Sequence, residues 1–437
     1  MSDKRVSRRG FISTVGAAAA SALVNPGLSM AGERPASRLG NLHPGVVGIA
    51  YNPSANIGVN GNLPVQRTMV DDALMAITGE TSAVAAMSQL LTGGTTGKKV
   101  AVKVNCINGS VPTRWEMVRA ILERLLDAGI SPANMVIFDN QDLNGCGFNA
   151  TNFPNAAGQQ FQGLQFLGTG SCPYPVPGTT CSLSTRIVNC DYLVNCPVLK
   201  GHWLEGVGDP PDFHFTLSLK NHYGSISGLT HTWPDFREML GRISADPVHV
   251  RPKTILVALS AVFGYYSIND PGGSAENWTT FAGTHPKRVI LSTDPISVDH
   301  IGIEMINHER VLHGLTAKTD TYVEYAATTF GLGIHDFASM TCHQWMGIPF
   351  TLSVAPQGLY WRLTWAAMNG AYGYRIYRST NAYGPWSLLT DITSPSTVTW
   401  DETTTPPTSG FFYRVEAYNA FGAMSSDAVG IFPFSLP

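Results

Sequence analysis

Apolar and polar residues follow two different periods along this chain, and the change of period divides it. From residue 45 to residue 345, short apolar runs alternate with stretches of helical period; beyond residue 350 the runs alternate with period two. Residues 45–51 (GVVGIAY), 99–105 (KVAVKVN), 135–138 and 192–196 read as buried strands. Residues 68–92 carry Val70, Leu74 and Ile77, then Val84, Met87 and Leu90, at helical spacing. Residues 112–129 predict a helix with Met117, Ile121, Leu122 and Leu125 on its buried stripe, Thr113 and Glu116 as a capping box, and Gly129 as its stop. A strand, a helix and a strand joined by a short return loop predict parallel pairing with a right-handed crossover. Residues 144–185 are rich in Gly and Asn and show no clear period. Further strands are predicted over 213–219, 254–263 and 288–292, and helices over 233–243 and 296–310. The expected fold is α/β, a mostly parallel sheet flanked by helices, followed by a separate all-β sandwich.

Polar chemistry gathers where these strands end. The run 99–105 presents Lys103 and Asn105, and the run 192–196 stops at Pro197 and opens into Lys200, Gly201 and His202. The run 213–219 leads into Lys220, Asn221 and His222. Ligands in open α/β sheets sit outside the carboxyl ends of strands, so these groups predict one pocket, with Asp294 or Asp299 nearby. Lys200, His202, Lys220 and His222 are the candidate catalytic residues. Lys103, Asn105, Asn221, Asp294 and Asp299 are the candidate ligand-binding residues. Lysines neutralise a carboxylate or phosphate, and asparagines fix its orientation. His202, His222 and His231, with Asp139, Asp294 or His300, are candidate nitrogen and oxygen ligands for a divalent transition metal, although no diagnostic ligand spacing is present. Asp299, in the first turn of its helix, also suits the helix dipole.

At 437 residues the chain is long enough for two or three domains. Its net charge of −3, with 14% charged residues, excludes a polyanion binder, so no nucleic-acid partner is expected. Residues 7–12 (SRRGFI), the apolar run 12–24 and the small residues Ser29 and Ala31 resemble a twin-arginine export signal over 1–31. A periplasmic or extracellular location follows, with no transmembrane segment in the mature chain. Export permits disulfides, and Cys172 with Cys181, flanking a Pro-rich loop, is the favoured pair of the seven cysteines. No Gly-x-Gly-x-x-Gly, P-loop or Gly-x-Ser-x-Gly pattern supports nucleotide binding or a serine hydrolase.

The segments KVAVKVN, MVIFDN, LVNCPVLKGH, LSLKNHYGSISG and ILSTDPISVDHIGIEMI, in this order, resemble the bacterial domain of unknown function 362 family over residues 40–345. Lys220-Asn221 and the Ser-x-Asp-Pro-x-x-x-Asp pattern from Ser292 to Asp299 are the most distinctive parts. The resemblance implies a domain and a site, with no established reaction. It also implies an acidic residue within 256–263, where this chain has none. Over 350–437, Trp365, Tyr377 and the string YRVEAYNAFG resemble a fibronectin type III domain, with Tyr413 as its tyrosine-corner residue. The expected function is an exported enzyme, dependent on a metal or an anionic ligand, acting on a small carboxylated or phosphorylated molecule. The competing expectation is a non-catalytic surface protein making adhesive or protein contacts through its C-terminal module.

Overall fold

The computed structural model describes residues 41–431 except 108, 156–159, 203–213, 229–235, 268–273, 282, 320, 346–350, 359, 368–370, 372, 404–409, 420–421 and 427. The expected export signal and His231 lie outside the described residues. The chain divides into two compact units, one spanning Arg34–Gly347 and the other including Ile348–Pro437.

The first unit begins with β1 (Val46–Tyr51), the short pair β2 (Asn56–Ile57) and β3 (Asn60–Gly61), α1 (Leu63–Thr78), α2 (Ala83–Leu90), β4 (Val100–Lys103), α3 (Trp115–Asp127) and β5 (Met135–Asp139). There follow β6 (Gln165–Gly168), β7 (Ser171–Pro175), β8 (Ser182–Ser184), α4 (Thr185–Val188), β9 (Tyr192–Asn195), β10 (Val198–Gly201), β11 (Phe215–Thr216), α5 (Ser218–Asn221) and β12 (Ile226–Ser227). The unit ends with α6 (Phe236–Ser244), β13 (Thr254–Tyr265), β14 (Arg288–Ser292), α7 (Pro295–Leu312), α8 (Thr321–Phe330) and β15 (Thr341–Trp345).

Ten of these strands form one sheet, in the order β15-β1-β14-β13-β9-β4-β5-β6, with β10 on β13 and β11 on β10. Pairing is parallel throughout β13-β9-β4-β5-β6; β14 runs against both its neighbours, β1 and β13. The mostly parallel sheet with flanking helices is therefore present. β13 is buried along its whole length, and it reads as an unbroken apolar run because both its faces are covered. Pro197 splits what would be one strand: β9 pairs with the first half of β13, and β10 with the second. Val100, Val102, Ile137 and Val194 lie in the core that α1, α2 and α3 cover. With a side-chain period of two, Lys103 and Asn195 face the other side of the sheet, the side on which Leu259 meets Gly302 of α7.

Several predicted elements differ. The run 68–92 is two helices, broken at Gly79, whose φ of 75° is left-handed; Ser82 caps the second by accepting from Ala85 N. α3 starts at Trp115, and Thr113 does not cap it. Its hydroxyl accepts from Asn105 N at 2.8 Å and donates to Cys196 O at 2.6 Å, while Glu116 accepts from Gly61 N and pairs with Arg114. Within the predicted strand 213–219, Phe215–Thr216 forms β11, and after Leu217 the chain coils into α5. The seven cysteines are free, and the Cys172 thiol turns to the Leu183 carbonyl at 3.2 Å in place of the expected bond to Cys181.

The second unit contains β16 (Leu352–Gln357), β17 (Tyr360–Trp365), β18 (Gly373–Ser379), β19 (Ser387–Ile392), β20 (Thr399–Glu402), β21 (Phe411–Asn419), β22 (Gly422–Ser425) and β23 (Val429–Ile431). They form two antiparallel sheets, β16-β17-β20 and β19-β18-β21-β22, with β23 also on β21. Alternate residues Leu363, Trp365, Tyr374, Ile376, Tyr413 and Val415 fill the core, as period two requires. The Tyr413 hydroxyl donates to the Glu402 carboxylate, not to backbone as in a tyrosine corner.

Candidate functional site

Three adjacent parallel strands end on one rim. Lys103 closes β4, Asp139 closes β5 and Asn195 closes β9, with Lys103 and Asn195 cross-strand partners. α5 sits over this rim. Four residues are too few for a helix to persist on propensity alone. It is held at its start by Asp299 of α7, whose two oxygens accept from Ser218 N at 2.6 Å and Leu219 N at 3.0 Å. α7 comes this close because Gly302 lacks a side chain: a Cβ there would stand 2.9 Å from Leu217.

Anchored so, α5 carries Asn221 into the rim and starts a hydrogen-bond chain of one polarity. Lys200 Nζ donates to Asn105 Oδ1 at 2.9 Å, and Asn105 Nδ2 donates to Asn221 Oδ1 at 3.2 Å. Asn221 Nδ2 donates to Asn195 Oδ1 at 2.7 Å, and Asn195 Nδ2 lies 3.3 Å from His222 Nε2. His222 Nδ1 faces Ser225 Oγ at 3.4 Å. Burial, and secondarily the charge of Lys103, pushes the His222 imidazole down to about 3, so it is neutral. A neutral ring accepting at Nε2 carries its proton on Nδ1 and donates to Ser225, which completes the chain in one direction. Such chains polarise each successive bond.

Beside this chain lies an ion pair. Lys103 Nζ donates to Asp139 Oδ1 at 2.9 Å, to Val104 O at 2.6 Å and to Asn221 Oδ1 at 3.3 Å. Asp139 Oδ2 accepts from Cys106 N at 2.6 Å. Gly224 makes room: a Cβ on it would lie 3.0 Å from both Asp139 Oδ1 and Lys103 Nζ. Lys103, Lys200 and Lys220 are 1%, 3% and 5% exposed, far below the usual exposure of lysine. Burial pulls Lys200 down to about 8; Asp139 and the thiols of Cys106 and Cys146 oppose that shift, and Lys103 adds to it.

The structure thus joins Lys103, Asn105, Lys200, Asn221 and His222 in one buried network. Lys220 is buried on α5, in a helical turn and not at the end of a parallel strand. His202 donates its backbone N–H to His214 O at 2.8 Å. Asp299 positions α5 from behind. Asp294 caps α7: it accepts from Ile296 N and Ser297 N, and from Gly45 N and Ile334 N. Among the described residues no three His, Cys, Asp or Glu side chains gather to hold a metal, and both ring nitrogens of His222 already face hydrogen-bond partners. The acidic residue absent from 256–263 has Ser260 in its neighbourhood, whose hydroxyl accepts from Arg114 N at 3.1 Å. Asn195 is the member that sequence reasoning missed; its signal was a single polar residue closing an apolar strand beside the strand of Lys103.

Solved structures similar to parts of this chain include pectate lyase Pel3 from Pectobacterium carotovorum, at 21% identity and a TM-score of 0.18, covering 19% of this chain and 27% of that one. An Fn3-like protein from Clostridium thermocellum matches at 26% identity and a TM-score of 0.17, over 20% of this chain and 95% of that one. A fibronectin type III domain from the human KIAA0970 protein matches at 17% identity and a TM-score of 0.17, over 20% of this chain and 71% of that one. No curated protein matches. Residues 100–304, the stretch that holds β4 to most of α7 and every member of the buried network, match the family model described as Domain of unknown function (DUF362), and that match supports this family.

Proposed function

We propose that the first unit is an enzyme that binds a small carboxylated or phosphorylated molecule, with Lys200 as its counter-charge and proton donor. A charge imbalance carries this reading. Lys103 and Lys200 are both buried, and Asp139 is bonded to Lys103, whereas Lys200 donates to neutral Asn105. A buried ammonium facing a neutral amide is unfavourable, and an anion beside it removes that penalty. With its proton held only to about 8, Lys200 is charged at neutral pH and still able to release a proton to a bound substrate. Asn105 and Asn221 fix its orientation, and the Lys103–Asp139 pair holds the frame. His222, being neutral, acts here as a hydrogen-bonding group. The second unit is read as a fibronectin type III-like module, and the chain as exported by the twin-arginine route.

Calorimetric titration with sulfate at constant ionic strength tests the site. At about pH 6.5, well below the ordinary lysine value, the protein binds one sulfate, and Lys200→Met weakens binding about tenfold or more, the loss expected for a hydrogen bond to a charged group. Equal binding by the variant would overturn the reading.

A further inference from the structure

Two cysteines border the buried network and take no part in it. Cys106 follows the strand that carries Lys103, and its backbone N–H is bonded to Asp139. Cys146 comes from a turn forty residues on, and its thiol lies 3.8 Å from the Cys106 carbonyl. That contact packs the Cys146 side chain against Cys106, forty residues away in sequence. They are 5% and 8% exposed, and Cys146 follows two exposed residues, Asn144 and Gly145, in its turn.

We propose that Cys106 and Cys146 form a redox-active dithiol that closes to a disulfide by exchange with a low-molecular-weight disulfide. The Cys146 thiolate attacks one sulfur of the reagent, forming a mixed disulfide and releasing one thiolate of the reagent. The Cys106 sulfur then attacks Cys146 Sγ and releases the second. The protein loses two thiol protons and two electrons, and the reagent disulfide is reduced to two thiols that take those protons. The environments assign the order of attack. The neighbouring Cys106 thiol holds the Cys146 thiol below its ordinary value, with Lys200 assisting, whereas Cys146 and burial push Cys106 up. A thiol with the lower value supplies the attacking thiolate. Burial raises Cys190, Cys196 and Cys342 instead. The dithiol stands on its own geometry and does not depend on the anion reading.

The full-length protein, reduced and then equilibrated with oxidised glutathione, provides the test. Thiol titration after denaturation is expected to fall from seven free thiols by two, and peptide mapping to link Cys106 with Cys146. Cys106→Ser is expected to stop at a glutathionyl adduct on Cys146, formed at least about tenfold faster than the adduct on Cys106 in Cys146→Ser. A wild-type protein that keeps seven thiols, or that links other cysteines instead, contradicts the proposal without recourse to any variant. Circular dichroism of each variant shows whether a slow adduct reflects chemistry or a lost fold; a folded Cys106→Ser protein without an adduct on Cys146 also contradicts it.

Discussion

Lys103 and Lys200 are both buried lysines with opposite neighbours. Lys103 has a carboxylate at 2.9 Å, so removing that carboxylate strands its charge. Asp139→Asn is expected to cost about 3–5 kcal/mol in urea unfolding. Lys200 is the reverse. Its folded value, about 8, lies below its ordinary 10.5, so below pH 8 the fold carries the penalty of its charge. Lys200→Met is expected to raise stability by about 1 kcal/mol near neutral pH while losing the sulfate site, the pattern of a residue retained for function. A large loss of stability on Lys200→Met would assign it to the structural frame instead. Most of these side chains were legible in the sequence, because a lysine or asparagine closing an apolar strand is conspicuous. Their burial was not: whether a strand-end lysine is solvated depends on what covers the rim, which no local pattern encodes.

α5 shows where local pattern fails at the level of an element. The alternation of FHFTLSL suggests a strand, yet Asp299, eighty residues away, caps Ser218 and Leu219 and coils the chain. Tertiary context decides a segment so short. The Asp299 carboxyl is raised to about 7 by burial, against the opposing bonds from Ser218 and Leu219, from an ordinary 3.8. Between those values the folded state holds a proton that the unfolded state has released, so stability falls as pH rises from about 4 to about 7 and is flat above. Asp299→Asn, which cannot titrate, is expected to remove that slope; unfolding free energies of both proteins across this range check it, and parallel curves would refute the assignment. The helices and the parallel core of β4, β5 and β9 were legible because their periods are long and regular. The Thr113 cap failed because its hydroxyl is used to tie β4 to the end of β9.

On the scale of the molecule, the change of period near residue 350 corresponds to separate sheets: a mostly parallel one in the first unit and two antiparallel ones in the second. Trp365 and Tyr413 are 4% and 0% exposed in the second unit. Trp365→Ala is expected to cost that unit about 3–5 kcal/mol in thermal or urea unfolding and to leave sulfate affinity unchanged. Export is a property of the whole chain: Arg8 and Arg9 replaced by Lys are expected to retain the precursor inside the cell, and unchanged secretion would show that the motif is accidental. In a chain with only 14% charged residues, a buried Lys200 that donates to the neutral Asn105 amide is the feature that calls for a ligand. The most direct measurement of that claim is the titration of the Lys200 side chain by NMR, assigned by Lys200→Met, without and with sulfate. The account predicts a midpoint near 8 that sulfate moves upward, because a bound anion favours the charged form. A midpoint near the ordinary 10.5, unmoved by sulfate, would contradict it.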